Sequence, residues 1–242
     1  MKDLGSLGIR SDDVLLVHSS LKSLSKDRVE ASFVIEALQD HLSGGGTLLM
    51  PALSYVTVTS SAPVFSVRNT PSCVGALSEA FRKTEDVVRS VHPTHSVCAW
   101  GRFSQEITSA HIQDRTPVGK HSPFSLLPEY GGKILFLGCG TEPNTSMHGV
   151  EELSETPYLF NSEQTMFIIE DDGGIRHQAW HRTHDFKGFR QRYDRLLDHL
   201  SGSEVRYGKI MEADCFVMDA NAVRSKGSAV LREDPFAFVE RI

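Results

Sequence analysis

Asn144 to Glu152 reads NTSMHGVEE. Asn144, Thr145 and Ser146 are short polar side chains of the kind that accept from the free N–H groups of a helix start, and they run directly into His148. If a helical turn begins there, His148 and Glu151 stand at i and i+3 on one face. That spacing gives a general base with an orienting carboxylate, because imidazole titrates near neutrality. It describes equally a solvated pair worth roughly a few tenths of a kcal/mol.

Other stretches carry chemistry-bearing types. HSSL, His18 to Leu21, follows an apolar run; its hydroxyls and backbone N–H groups suit phosphate or pantetheine, and also a routine N-cap after a strand. RSVHP, Arg89 to Pro93, supplies a cation, a hydroxyl and His92. Arg89 suits a bidentate phosphate contact and a structural ion pair equally well. HQAWHRTHD sets His177, His181 and His184 at i, i+4 and i+7, with Asp185 adjoining. On a helix those imidazoles would share a face and could hold a catalytic zinc, as in a metal-dependent hydrolase. On a strand His177 and His181 would share one face and His184 would point to the other. Trp180, Arg182 and Thr183 give no helical period, so solvated or substrate-facing histidines are the simpler expectation. The lone His95, His111 and His121 read as packed or solvated.

The elements that must position these groups follow from pattern. Val14 to Val17 is short enough for a buried strand; RVEASFVIEALQDHL has helical apolar spacing and TLLMP is the next strand, together a parallel βαβ unit. Residues 54–71 read as a long loop or edge excursion, VGALSEAFRK as a helix, HSVCAWG as a strand and SPFSLLPEYGG as a short helix stopped by glycine. KILFLGCG is the clearest buried strand. EQTMFIIEDDGGIRHQAW predicts a hairpin turning at Asp172-Gly173-Gly174, and FKGFRQRYDRLLDHLSG an amphipathic helix. The remainder mixes a short strand, a helix and a tail. The expectation is a single α/β domain over 1–242, a mixed central sheet flanked by helices.

Size and charge narrow the partners. With 242 residues, 23% charged and 40% hydrophobic, the chain can bury a proper core. A net charge of −6 argues against nucleic acid, which demands a basic face. No apolar run approaches the roughly 20 residues of a membrane span, and MKDLGSLGIRSDD lacks a secretory apolar region. Cys73, Cys98, Cys139 and Cys215 show no CxxC spacing and read as reduced thiols, so a cytoplasmic location is expected. A homodimer is allowed.

Taken in order, DDVLLVHSSLKSL, GGGTLLMPALSY, GALSEAFRK, VVRSVHPTHSVCAWG, HSPFSLL and GKILFLGCGTEPNTSMHGVEE resemble the aminoglycoside 3-N-acetyltransferase family, with YGKIMEADCFVMDANAV a looser match. The resemblance spans essentially the whole chain. It implies that family's α/β fold, acetyl-CoA as co-substrate, no metal, and acetyl transfer to a small-molecule amine of an amino sugar or aminoglycoside-like acceptor. It implies His148 and Glu151 as the catalytic pair. Ser19, Ser20, Leu21, Arg89, Ser90, Val91, His92 and Ser122 would contact the coenzyme, and Tyr55, Glu152 and Asp185 the acceptor. A scaffold that keeps coenzyme A without turnover is a third class, against which the retention of both His148 and Glu151 speaks.

The chain departs from the resistance members of that family in two regions, one being the family's aspartate-rich stretch near position 185, here reduced to THD (Thr183 to Asp185). The resistance members also carry a long insertion between the MP strand and the GALSEAFR helix, whereas Ser54 to Cys73 is short and has no acidic residue. Carboxylates for a polycationic acceptor are then sought at Glu142, Glu151, Glu152, Asp171, Asp172 and Asp185.

Overall fold

The computed structural model describes residues 2–186 and 188–242. A short helix α1 (Lys2–Ser6) leads to strand β1 (Val14–Ser19), helix α2 (Ala31–His41) and strand β2 (Thr47–Pro51). β1 and β2 pair in parallel, so the βαβ unit expected from the spacing is present. The excursion after β2 holds one short strand, β3 (Val64–Ser66), before helix α3 (Ala76–Arg82). Strands β4 (Val88–Arg89) and β5 (Val97–Gly101) follow, then helices α4 (Ser104–Ser109) and α5 (Pro123–Leu126). A 3-10 turn extends α5 to Tyr130, and Gly131 at φ 58 ends it where the sequence placed a glycine stop. Next come β6 (Lys133–Leu137), α6 (Ser146–Leu153), and the hairpin of β7 (Phe160–Glu170) and β8 (Arg176–His184). The chain finishes with β9 (Phe189–Gln191), β10 (Val205–Ile210), β11 (Ala213–Asp219), α7 (Ala220–Glu233) and β12 (Val239–Arg241).

Seven strands make a mixed sheet in the order β10-β11-β6-β1-β2-β5-β4. The central β6, β1 and β2 are parallel, flanked by antiparallel β11 and β5. Alternation along the buried strands divides their side chains between two cores. Val14, Leu16, Leu49, Ile134 and Phe136 pack with Ile107, Phe124, Met147, Val150 and Val223 of α4 to α7. Leu15, Val17, Leu48, Met50 and Leu135 pack with Val34, Ile35, Leu38, Leu77 and Phe81 of α2 and α3. β3, β7 and β8 form a second sheet over Phe65, Phe167 and Ile169, and its hairpin turns at Asp171 to Ile175 as the DDGG signal predicts.

Two expectations need correction. FKGFRQRYDRLLDHLSG is not an α-helix: it forms β9 and a 3-10 helix over Tyr193–His199, and Lys187 lies outside the described residues. Its buried apolar residues are Tyr193 and Leu196, three apart as a 3-10 turn repeats. β9 pairs with β12 from the far end of the chain, a contact no local period announces. The C-terminal region holds the antiparallel pair β10 and β11 at the sheet edge rather than a single strand. All four cysteines are free thiols, and no described helix is long and apolar enough to cross a membrane.

Candidate active site

Because β1, β2 and β6 run in parallel, their C-terminal ends open on one edge, where open α/β sheets bind ligands. The parity that buries Val14 and Leu16 beneath α4 to α7 brings His18 next onto that face, stacked on Phe136 at 5.3 Å. Burial pushes His18 down to about 3, so it is neutral. Gly138 ends β6 at φ 68, and a Cβ there would stand 2.7 Å from the Cβ of Ser23. At this edge opens a cavity of about 1160 Å³ whose walls include His18, Ser19, Tyr55, His95, His148 and His184.

Helix α6 carries His148 into the cavity wall. It begins at Ser146 as the spacing predicts, but the expected side-chain caps are absent. Thr145 turns its hydroxyl to the Pro143 carbonyl, and the buried side chains of Asn144 and Ser146 have no partner. Backbone bonds from Met147 N–H to Asn144 and from His148 N–H to Thr145 close the first turn instead. Met147 and Val150 anchor the helix in the core.

One turn along, Glu151 is fully buried and is held by three donors. Tyr158 donates to Oε1 at 2.9 Å, Tyr193 donates to Oε2 at 2.8 Å, and His148 Nδ1 lies 3.2 Å from Oε2. The Tyr193 oxygen is also 2.8 Å from His148 Nδ1. Since Tyr193 spends its one proton on Glu151, His148 Nδ1 carries a hydrogen shared between that oxygen and the carboxylate. This fixes the tautomer and leaves Nε2 with its lone pair. Burial raises Tyr193 well above the ordinary tyrosine value, so it stays a donor.

A second pair stands behind the first. His184 Nε2 lies 2.8 Å from Oε1 of Glu152, which also accepts from Val118 N–H at 2.7 Å. Burial lifts Glu152 to about 7 and drives His184 well below the usual histidine value. Both shifts oppose charge separation, and with His184 uncharged the contact is a hydrogen bond rather than an ion pair. The His184 ring sits 5.0 Å from His148 and 5.3 Å from His95. Beyond them His92 stacks on His111 at 4.9 Å and meets His181 edge-on at 5.0 Å.

Of the expected site residues, Ser19, Tyr55 and His148 line the cavity, with Glu151 directly behind His148. Ser20 and Leu21 enter a three-residue 3-10 turn outside the lining, and the Ser20 N–H is committed to the Leu137 carbonyl. Arg89 is no phosphate ligand: it is 7% exposed, and its guanidinium donates to Ser96 Oγ and to the carbonyls of Val67, Thr70 and Ala52. Ser90 bonds His111 and the Val97 N–H, Val91 packs against the β3–β7 core, and His92 accepts from the N–H groups of Thr94 and His95. All three brace the wall rather than form it. Ser122 is buried at the start of α5, Glu152 faces His184, and Asp185 follows β8 with its N–H on Leu159; none lines the cavity.

The hydrolase trio does not assemble. β8 is a strand, so alternation separates His184 from His177 and His181, and His184 instead groups with His95 and His148. Sequence reading passed over His95, Tyr158 and Tyr193. Tyr193 reaches Glu151 across 42 residues of chain, and no spacing rule signals that. For His95 the proximity of His92 within the same RSVHPTH stretch was the available signal.

Comparison with known proteins identifies the family and the fold. The family model described as aminoglycoside 3-N-acetyltransferase matches residues 16–232. Aminoglycoside N(3)-acetyltransferase IV of Salmonella sp is 36% identical over 156 residues, 63% of this chain and 57% of that protein. The SPbeta prophage-derived aminoglycoside N(3')-acetyltransferase-like protein YokD of Bacillus subtilis (strain 168) is 30% identical over 170 residues, 62% of each chain. The chain thus spans less than two thirds of the length of these two relatives. The crystal structure of aminoglycoside acetyltransferase AAC(3)-IVa superposes with a TM-score of 0.80 at 27% identity, covering 98% of this chain and 88% of that one. With a matched segment running from β1 to α7 and a fold in common, the chain belongs to the aminoglycoside 3-N-acetyltransferase family.

Proposed function

We propose that residues 1–242 act as one acetyl-CoA-dependent N-acetyltransferase domain, acting on an amine of an amino sugar or aminoglycoside-like acceptor. The observation that carries this reading is the His148–Glu151–Tyr193 constellation in the wall of a cavity of about 1160 Å³. Its one uncommitted ring nitrogen is His148 Nε2. Family membership supports the reaction class, and a mutant of AAC(3)-IVa, 26% identical to this chain, has been solved in complex with a gentamicin.

An ammonium is not a nucleophile, so the acceptor must first lose a proton. His148 Nε2 takes it, and Glu151 stabilises the imidazolium through the Nδ1–H. The freed amine attacks the thioester carbonyl, the C–N bond forms, the C–S bond breaks, and the thiolate leaves as the thiol with the second proton that the nitrogen sheds on becoming an amide. Tyr193 and Tyr158 keep Glu151 aligned throughout. Ser19 and Tyr55 are the lining residues assigned to the thiol arm and the acceptor. Among the described residues, the lining contains Glu142 and Glu163 and no lysine or arginine. That balance suits a cationic acceptor and leaves the phosphates of the coenzyme outside the cavity.

The test is free-thiol release from acetyl-CoA across a panel of amino sugars and aminoglycosides, together with the shift in melting temperature on adding acetyl-CoA. The reading requires a shift and release with at least one amine. No shift and no release for any amine overturns it.

A further inference from the structure

We propose that His95, His148 and His184 form a binding site for a zinc-class divalent cation that competes with acetyl transfer. The three rings come from the segment before β5, from α6 and from the end of β8. One nitrogen from each lies within 4.8 Å of one from each of the others. Each ring has its remaining nitrogen already oriented: His148 Nδ1 by Glu151 and Tyr193, His184 Nε2 by Glu152, and His95 Nδ1 by Thr94 Oγ1 at 2.9 Å. A partner that fixes the tautomer of each imidazole is the outer-shell arrangement of metal-ligating histidines.

The nitrogens left over are His95 Nε2, His148 Nε2 and His184 Nδ1. The last is buried without a hydrogen-bond partner, an unmet polar group that a ligand would satisfy. Burial also keeps His95 and His184 neutral, the form that coordinates. A tetrahedral zinc with Zn–N of about 2.0–2.1 Å wants its nitrogens about 3.3 Å apart, so loading draws the rings together by up to roughly an ångström and a half. Three imidazoles with a fourth position open to the cavity favour zinc, cobalt, nickel or copper over magnesium and calcium.

The cation is here a competitor, not a cofactor. Coordination takes the His148 Nε2 lone pair that proton abstraction needs, and this half of the inference rests on the proposed function. The binding half does not.

Equilibrium dialysis of chelator-washed protein against Zn²⁺ tests the site directly. The expected result is one zinc per chain, retained by His177→Ala and weakened at least a hundredfold by His95→Ala and by His184→Ala. Co²⁺ in the unmutated protein provides a readout independent of whether the variants fold, with the visible absorption of a tetrahedral nitrogen site. No stoichiometric zinc, binding that survives both substitutions, or a thiolate charge-transfer band from Cys73 or Cys139 overturns the site. In the thiol-release assay one equivalent of zinc should lower turnover at least tenfold, and chelator should restore it. Full turnover with zinc seated on the three histidines overturns the competition. Zinc binding in a protein that transfers no acetyl group to any amine leaves the site standing and removes the proposed function instead.

Discussion

The hydroxyl of Tyr193 donates to the buried Oε2 of Glu151 at 2.8 Å and stands the same distance from His148 Nδ1, so one phenol joins the carboxylate to the imidazole. Tyr193 is therefore a positioning residue. Tyr193→Phe keeps the ring packing and removes the donor, leaving Glu151 with Tyr158 and His148. The stability cost should be about 1.5–3 kcal/mol, the usual range for a hydrogen bond to a charged group. Turnover should fall roughly tenfold with little change in KM, because orientation rather than binding is lost. Steady-state kinetics and urea unfolding of this variant check both; a kcat within twofold of the parent would remove Tyr193 from the constellation.

His148→Ala removes the only ring nitrogen in this constellation that is free to accept a proton. The expected loss is about 10²–10⁴-fold in kcat, the range for a missing general base. The acetyl-CoA-induced rise in melting temperature should persist, since His148 is assigned to proton abstraction rather than to holding the coenzyme and its side chain keeps 15% exposure at the wall. Near-normal turnover would reject the assignment.

His148 and Glu151 were legible because one local rule, i and i+3 on a helical face, generates their contact. The sheet was legible for a similar reason. Val14 to Val17 and KILFL are continuous apolar runs, and strands buried on both faces have that composition. Arg89 misled because a cation beside a candidate site reads the same whether it meets a phosphate or four protein oxygens. Only the fold supplies the carbonyls of Val67, Thr70 and Ala52. Tyr193 and His95 were hidden for a related reason: their roles depend on which distant segments the sheet brings together. The β9–β12 pair defeated a helical pattern in the same way, tertiary pairing overriding local period.

Acid should destabilise the fold steeply. Burial holds His18 and His111 at about 3 and His181 at about 4, whereas in the unfolded chain each titrates near 6.5. Between those values the unfolded state binds a proton that the folded state refuses, so stability is complete above about pH 6.5 and falls as pH drops towards 4. Each histidine contributes a slope of about 1.4 kcal/mol per pH unit, so three give about 4 kcal/mol per unit against a typical total of roughly 5–15. Urea midpoints measured from pH 7.5 to 4.5 should decline accordingly, and His111→Phe should flatten the decline. A midpoint flat down to pH 5 would mean that these rings are not buried neutral.

On the proposed reading, binding of a cationic acceptor should depend on charge at Glu142 and Glu163, since among the described residues no lysine or arginine lines the cavity and the buried Glu151 and Glu152 are committed to other partners. Both lining carboxylates are exposed, so each interacts with a cationic acceptor across water and contributes about 1 kcal/mol or less. Glu163→Gln and Glu142→Gln should each raise the acceptor KM by about 2–5-fold, and the double variant by about the product where the two carboxylates act independently. On the proposed reading, which puts the coenzyme's phosphates outside the lining, the KM for acetyl-CoA should not move. Raising ionic strength should mimic the substitutions in the parent and do little in the double variant, because screening acts only on charges that are present. An acceptor KM indifferent to both substitutions and to salt would show that recognition is made by neutral hydrogen bonds, with Asn161, Gln164 and Thr165 in the same wall the groups to remove next.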